Sequence, residues 1–377
     1  MNKKVLFISS FIGAERTGGS IAAHSNLRLC KNLFEEKQVD AYGFAFRKVV
    51  PIDGVKYLAS YRSAADTFAS YLSGYSGGLT KNNFSDLKEI IDGGDYNVVF
   101  LDGSLLGGIA KYIKQKSAAS LCIVFFHNLE RDYFKAMYAR KPAYFPVIRS
   151  ATKNERLAAE SADLVFVFNE RDASLIKKIY HRTADEIFPI TVEDAWKNST
   201  TEKKQGFVRL LFIGSNFQAN IDGIKWFADN VMPQTNAMLT VIGKNMQELR
   251  GELDKTNIHV LGTVDDLHPH YEHADAVVAP IFSGSGMKVK TAEALMMGKT
   301  VIGTNEAWEG YNEAARQTGV VCNTAQEFLN AIEKITDNSC SFNAAARKVY
   351  EQFYSPTSQR EKIQSVTKRL QREWKFN

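Results

Sequence analysis

The chain has 377 residues, 45% of them hydrophobic and 24% charged, proportions that exclude a disordered or low-complexity chain and leave room for two folded cores. Its formal charge of +5 arises in the first half, where residues 1–190 carry 26 Lys and Arg against 20 Asp and Glu, while the remainder carries 21 against 22. So small an excess excludes the strongly basic signature of a nucleic-acid-binding chain.

Cys30, Cys122, Cys322 and Cys340 lie far apart, without the paired spacing of a metal site or a disulfide framework, so a reducing, cytoplasmic compartment is expected. Lys3–Ile8 opens like a signal peptide in miniature, but the apolar run breaks at Ser9-Ser10 and no small-residue cleavage site follows. No stretch of about 18 apolar residues is present to span a bilayer.

Lys4–Ser9 reads as a strand and Ile21–Phe34 as a helix, with Gly13-Ala14-Glu15-Arg16-Thr17-Gly18-Gly19-Ser20 between them. The spacing approaches that of a phosphate-binding P-loop, yet Gly19 stands where the lysine is required, and the pattern is not the G-x-G-x-x-G of a dinucleotide site. What is left is a Gly18-Gly19 turn that lets backbone come close to a ligand. Apolar runs at Asn97–Leu101 and Ser120–Phe126 read as parallel strands separated by a helix over Ser104–Lys116. His127 follows directly, at the kind of strand end beyond which doubly wound sheets bind ligands; a capping or core histidine is the other reading.

Residues 131–156 hold Arg131, Lys135, Arg140, Lys141, Arg149, Lys153 and Arg156 against Asp132 and Glu155, interleaved with Tyr133, Phe134, Tyr138, Tyr144 and Phe145. With Glu130, this stretch is a candidate acceptor or membrane surface, its cations and rings meeting an anionic bilayer or a phosphate-bearing acceptor. A helix pair with rings inward and cations in water explains the same composition. Leu164–Phe168 is a further strand, leading to Asn169-Glu170-Arg171-Asp172 and a short helix, and the polar stretch Lys197–Gly206 reads as a linker. From Arg209 the alternation starts again, with strands Leu210–Gly214, Leu239–Gly243 and Ile258–Gly262, a helix at Asn220–Val231 and a short one at Asp265–Glu272. Two such runs predict two α/β domains with parallel, doubly wound sheets. Ser215 and Asn216 lie in the second domain's counterpart of the Gly18-Gly19 turn.

Next come a strand at Ala276–Pro280, a turn at Ser283-Gly284-Ser285-Gly286, a helix over Met287–Met297 closed by Gly298, and a strand at Thr300–Thr304. Such a turn aims backbone N–H groups and the positive helix end at an anion. Lys288, in a first turn where the dipole disfavours a cation, answers either to a bound anion or to ordinary surface placement beside a cap. Glu293 lies among Ala292, Ala294, Leu295, Met296 and Met297, where a carboxylate is costly unless donors such as a ribose diol reach it. Helices follow at Ala325–Thr336, Ser341–Phe353 and Ser358–Trp374.

The segment Gly284–Glu293 resembles the donor-site signature of retaining glycosyltransferases of the GT-B fold, the group usually called family 4 or glycosyl transferases group 1. That signature runs Glu-x7-Glu; Glu293 takes the second position and Ser285 the first. The resemblance implies two Rossmann-like domains facing across a cleft, residues 1–190 on the acceptor side and 191–355 for the donor, with 356–377 a helix returning to the first. It implies that Glu293 binds the ribose of a nucleotide sugar and that Gly284, Ser285, Gly286, Met287 and Lys288 line the donor site with Ser215 and Asn216. Gly18 and Gly19 would approach the diphosphate, and His127 would stand beside the donor sugar as the catalytic candidate. Where the family often has an Arg and a Lys, this chain has Ser215 and Asn216, which shifts charge neutralisation to Lys288 and Lys290. The implied activity is transfer, with retention, from a nucleotide-diphosphate sugar to a glycan, polysaccharide or lipid-linked acceptor. No cofactor or metal is implied, and there is no Asp-x-Asp motif. The place of action would be the cytoplasm, including the inner face of the membrane. A GT-B epimerase or phosphorylase, and a non-catalytic nucleotide-sugar-binding protein, are the alternatives.

Overall fold

The structure is a computed structural model that describes residues 4–14, 17–34, 39–46, 49–116, 120–138, 141–197, 206–336 and 341–374. The expected linker falls outside these residues except at its two ends, and Arg140 and Cys340 also lie outside them. The chain divides into two units, residues 1–189 with 359–377, and residues 190–358.

The first unit is built on a parallel sheet of β1 (Val5–Ser9), β2 (Val39–Ala45), β3 (Val55–Ala59), β4 (Val98–Asp102), β5 (Leu121–Phe126), β6 (Leu164–Val167) and β7 (Glu186–Ile187), ordered β3-β2-β1-β4-β5-β6-β7. β1, β4, β5 and β6 are buried along their whole length. Helices cover both faces of such a sheet, which is why its central strands are unbroken Val, Ile, Leu and Phe runs. Its helices are α1 (Gly18–Leu33), α2 (Ala64–Leu72), α3 (Lys81–Gly93), α4 (Gly107–Lys116), α5 (Glu130–Met137), α6 (Phe145–Ser161) and α7 (Glu170–Tyr180). α4 and α6 meet backbone to backbone at Gly107, where a Cβ would stand 1.8 Å from the carbonyl oxygen of Asn154.

The second unit has β8 (Arg209–Ile213), β9 (Met238–Ile242), β10 (Ile258–Gly262), β11 (Ala276–Ala279), β12 (Thr300–Gly303) and β13 (Val320–Val321), again parallel and ordered β10-β9-β8-β11-β12-β13. Between and after them run α8 (Gln218–Asn230), α9 (Arg250–Leu253), α10 (His268–His273), α11 (Val289–Met296), α12 (Glu313–Arg316), α13 (Ala325–Thr336) and α14 (Ala344–Val349). Gly223 lets α8 lie on the end of β11: a Cβ there would come within 1.9 Å of the Pro280 carbonyl oxygen. The last helix, α15 (Arg360–Glu373), belongs to the first unit. Thr367 donates to the Leu33 carbonyl of α1 at 3.0 Å, and Lys362 and Arg369 pair with Glu186 at 3.2 and 3.0 Å. Among the described residues no helix is long and apolar enough to cross a membrane.

Strands β2 and β3 went unrecognised in the sequence because their residues are only partly buried and mix Asp, Lys and Gly with apolar ones. Glu130 departs from its expected place on a surface, since it is buried at the start of α5. Its neighbour Glu155, on α6, caps that helix: one oxygen accepts from the backbone N–H groups of Glu130 at 2.5 Å and Arg131 at 3.4 Å, and the other from the Tyr180 hydroxyl at 2.5 Å. Leu129, at the N-cap position, has no side chain able to do this. Burial, with Glu155 adding, pushes the Glu130 carboxyl up to about 8.

A carboxyl whose folded pKa is raised contributes stability that is present at acid pH and lost as pH rises through the folded value. Glu130→Gln is therefore expected to unfold like the parent near pH 4.5 and to be more stable than it at pH 9, by roughly 2–4 kcal/mol. Parallel stability curves for the two chains, measured by denaturant unfolding from pH 4.5 to 9, would assign the pH dependence to another group.

Candidate active site

Both sheets reverse their strand order once, between β1 and β4 and between β8 and β11, and beyond the carboxyl ends of those pairs the polar side chains collect. In the first unit Ser9 and Asp102 end β1 and β4 in register. Asp102 is fully buried and three groups reach it: Ser9 Oγ at 2.5 Å, Asn26 Nδ2 at 2.7 Å and His127 Nε2 at 2.5 Å. Ser9 Oγ in turn accepts the N–H groups of Phe11 and Ile12, each at 3.1 Å, which pins the turn after β1. The imidazole is 8% exposed and packed by Phe11, Phe168 and Phe125, with ring centroids 5.0, 5.4 and 6.0 Å away.

With Nε2 committed to Asp102, Nδ1 is the ring nitrogen available to a ligand, as an acceptor in the neutral ring and a donor in the charged one. The Ser9 hydroxyl is bonded to the carboxylate, whereas the nucleophile of a Ser-His-Asp hydrolase is bonded to the histidine. Gly18 and Gly19 open α1 behind a capping box formed by Thr17 and Ser20. A Cβ on Gly19 would stand 3.1 Å from the Phe11 ring, so this turn rests on the ring that stacks over His127.

In the second unit the loops after β8 and β11 lie side by side. Gly284 and Gly286 take φ of 154° and 63°, open only to glycine without strain, and α11 starts behind Lys288. Lys288 is not held for a bound anion alone: its ammonium reaches Glu306 Oε1 at 2.7 Å and the carbonyls of Gly286 and Ser285 at 2.9 and 3.4 Å. Glu306, just after β12, therefore offsets the unfavourable helix dipole. Lys290 is different. Its ammonium donates to Asn220 Oδ1 at 2.7 Å and lies 4.9 Å from the Phe212 ring centroid, with no ion pair to a carboxylate among the described residues. By area the residue is half-buried, its ammonium held between the Asn220 amide and the Phe212 ring. Burial pulls it down to about 7, Lys288 adding to the effect and Glu293 opposing it.

Glu293 is buried on the same helix near Tyr311, whose hydroxyl donates to the Lys288 carbonyl at 2.8 Å. Burial, then Tyr354 and Glu293, push that phenol well above its ordinary value. Met287 is buried and Ser285 half-buried. Asn216 donates to Glu248 at 2.8 Å and the Asn245 carbonyl at 3.2 Å, while Asn220 donates to the Ser215 carbonyl at 2.9 Å. Of the basic stretch, Lys141 and Arg149 are exposed and Arg131 is half-buried against Asp132.

Asp102, Asn26, Asn220 and Glu306 escaped the sequence reading. Only Asp102 carried a signal, as a carboxylate closing the apolar run Val98–Leu101. Asp102→Ala is expected to destabilise the chain by about 2–4 kcal/mol in denaturant unfolding, because three donors lose a buried acceptor together. A loss under about 1 kcal/mol would mean that water replaces the carboxylate and that the network is not structural.

No curated protein matches the chain in sequence. Among solved structures, sucrose-phosphate synthase from Thermosynechococcus elongatus superposes with a TM-score of 0.74 at 13% identity, covering 98% of this chain and 99% of its own. Anabaena Alr3699/HepE in complex with UDP-glucose gives 0.67 at 12% identity, covering 97% and 99%. The α,α-trehalose 6-phosphate synthase of Burkholderia multivorans gives 0.63 at 10%, covering 98% and 97%. At such identities the likeness concerns the fold, which is GT-B. Residues 208–338, holding β8 to α13 and the whole second-unit site, match the family model described as glycosyl transferases group 1. The chain thus has the GT-B fold, and its second unit matches the glycosyl transferases group 1 family over residues 208–338.

Proposed function

We propose that the chain moves a sugar, with retention, from a nucleoside-diphosphate donor to a glycan, polysaccharide or lipid-linked acceptor. The observation that carries this reading is Lys290, a crowded ammonium whose hydrogen bond goes to a neutral amide, at the N-terminus of a helix and beside the turn after β8. A diphosphate lying there would supply the missing negative charge and meet the N–H groups of the first turn of α11. Lys288 would join it on leaving Glu306, and Glu293 would take the ribose. The HepE structure is a complex with UDP-glucose, which makes uridine nucleotides the first donors to try.

In this reading Lys290, Lys288 and the helix end stabilise the charge that grows on the departing diphosphate. The family resemblance further implies that the departing phosphate oxygen takes the acceptor proton on the same face, which needs no nucleophile from the protein. His127 Nδ1 would hydrogen-bond a sugar hydroxyl, its ring held by Asp102.

A thermal-shift panel of UDP-, GDP-, ADP- and TDP-sugars tests the donor class, since a ligand bound by the native state alone raises its melting temperature. Lys290→Met is expected to melt no lower than the parent, because a desolvated charge is removed. It should lose about 1.5–3 kcal/mol of nucleoside-diphosphate affinity in calorimetry while keeping its affinity for the bare nucleoside. Equal losses for both ligands would take the lysine out of the site. Isomerisation or phosphorolysis of the sugar without an acceptor would replace transfer by one of the other GT-B chemistries. His127→Ala should lower kcat more than it raises KM; full kcat with a depressed melting temperature would make the histidine structural.

A further inference from the structure

Helix α2 is turned inside out. Its sequence AADTFASYL buries no residue, and the side facing solvent is the apolar one: Ala65, Phe68, Ala69 and Leu72, at helical i, i+3, i+4, i+7 spacing, are all exposed, Leu72 to 60%. The inward side is formed by Thr67, Ser70 and Tyr71. A water-facing helix of a globular domain has the opposite arrangement.

The surroundings extend this face. Tyr71 is edge-on to Phe134 of α5, Phe134 stacks with Tyr138, and Tyr138 stacks on Tyr144 with centroids 4.2 Å apart. That line of rings leads from α2 to the exposed Tyr144 and to Phe145, which is 62% exposed at the start of α6. α2 packs on α6, and the Lys153 ammonium lies within 3.4 Å of where a Cβ on Gly74, just past α2, would stand. Lys141, Arg149 and Lys153 are exposed. On the acidic side, Asp66 is exposed on α2 and accepts from the Arg62 N–H, and Asp132 is paired with Arg131. The face is thus apolar and aromatic with a cationic border.

We propose that α2 and the start of α6 form a peripheral membrane-docking surface that lies on an anionic bilayer, with Phe68, Leu72, Tyr144 and Phe145 in the headgroup region and Lys141, Arg149 and Lys153 against lipid phosphates. Two features favour a bilayer over a second copy of the chain. Exposed rings and aliphatic groups bordered by lysine and arginine suit an interface that is apolar inside and anionic outside. A symmetric contact between two copies would bring the same three cations against one another. The inference goes beyond the donor chemistry and does not depend on it.

The test is flotation of the full chain with vesicles of phosphatidylcholine alone and of phosphatidylcholine with about one third phosphatidylglycerol, at low and high salt. The parent should float with the anionic vesicles, and weakly or not at all with the neutral ones or at high salt. Lys141→Ser, Arg149→Ser and Lys153→Ser together should weaken binding about fivefold per cation. Phe68→Ser with Leu72→Ser should weaken it at least tenfold, with melting temperature and UDP-induced thermal shift as in the parent. A parent chain that does not float with anionic vesicles, or variants that float as it does, would overturn the proposal. Concentration-dependent sedimentation that Phe68→Ser with Leu72→Ser abolishes would give the face to a second copy instead. A missing UDP shift in both chains bears on the donor reading and leaves the flotation result standing.

Discussion

Parallel pairing is the constraint on which the rest of this structure depends. When every strand of a sheet runs the same way, all the carboxyl ends fall on one edge, and every connection must cross back over a face. Where the strand order reverses, neighbouring crossovers leave in opposite directions and the strand ends between them stay uncovered. Ser9 and Asp102 meet at such a point although 93 residues separate them. The turn after β8 and the N-terminus of α11 meet at another, with Lys290 and Asn220 joined across 70 residues.

The two centres have opposite electrostatics. Around Asp102 a buried carboxylate has been given three donors, an arrangement in which the group's own demands are met and the turn after β1 is locked. Around Lys290 a crowded ammonium has a neutral amide and a ring face. A buried charge with its partners in place holds structure, and one without an opposite charge favours whatever anion can reach it. Lys288 stands between these cases, since it is half-buried and has a carboxylate partner in Glu306 at 2.7 Å.

Elsewhere the first unit departs twice from the rules that stabilise a fold. Glu130 is buried beside another carboxyl and is driven toward its neutral form, and α2 shows water the face that other helices hide. Such departures from local consistency concentrate where a protein interacts rather than where it merely folds. Both lie in the stretch from α2 to α6, which also carries the exposed lysines and arginine.

Local periodicity, turn chemistry and burial on both faces were legible in the sequence. They yielded the central strands as unbroken apolar runs, the Gly284–Gly286 turn, α11 and α13, and hence two parallel-sheet domains. The edge strands β2 and β3 were not legible, because half-burial mixes polar residues into them and erases the contrast on which the reading rests. Nor was α2, a nine-residue helix that buries none of its residues and that the sequence reading passed over. The sequence made Lys288 the main cation of the donor site and Lys290, two residues on, an addition to it, and the fold gave them different partners. Glu306 arrives 18 residues later to neutralise one, and Asn220, 70 residues earlier, gives the other only a neutral acceptor. Charge balance depends on distances of a few ångströms between residues remote in the chain, and those distances exist only once the strands have paired.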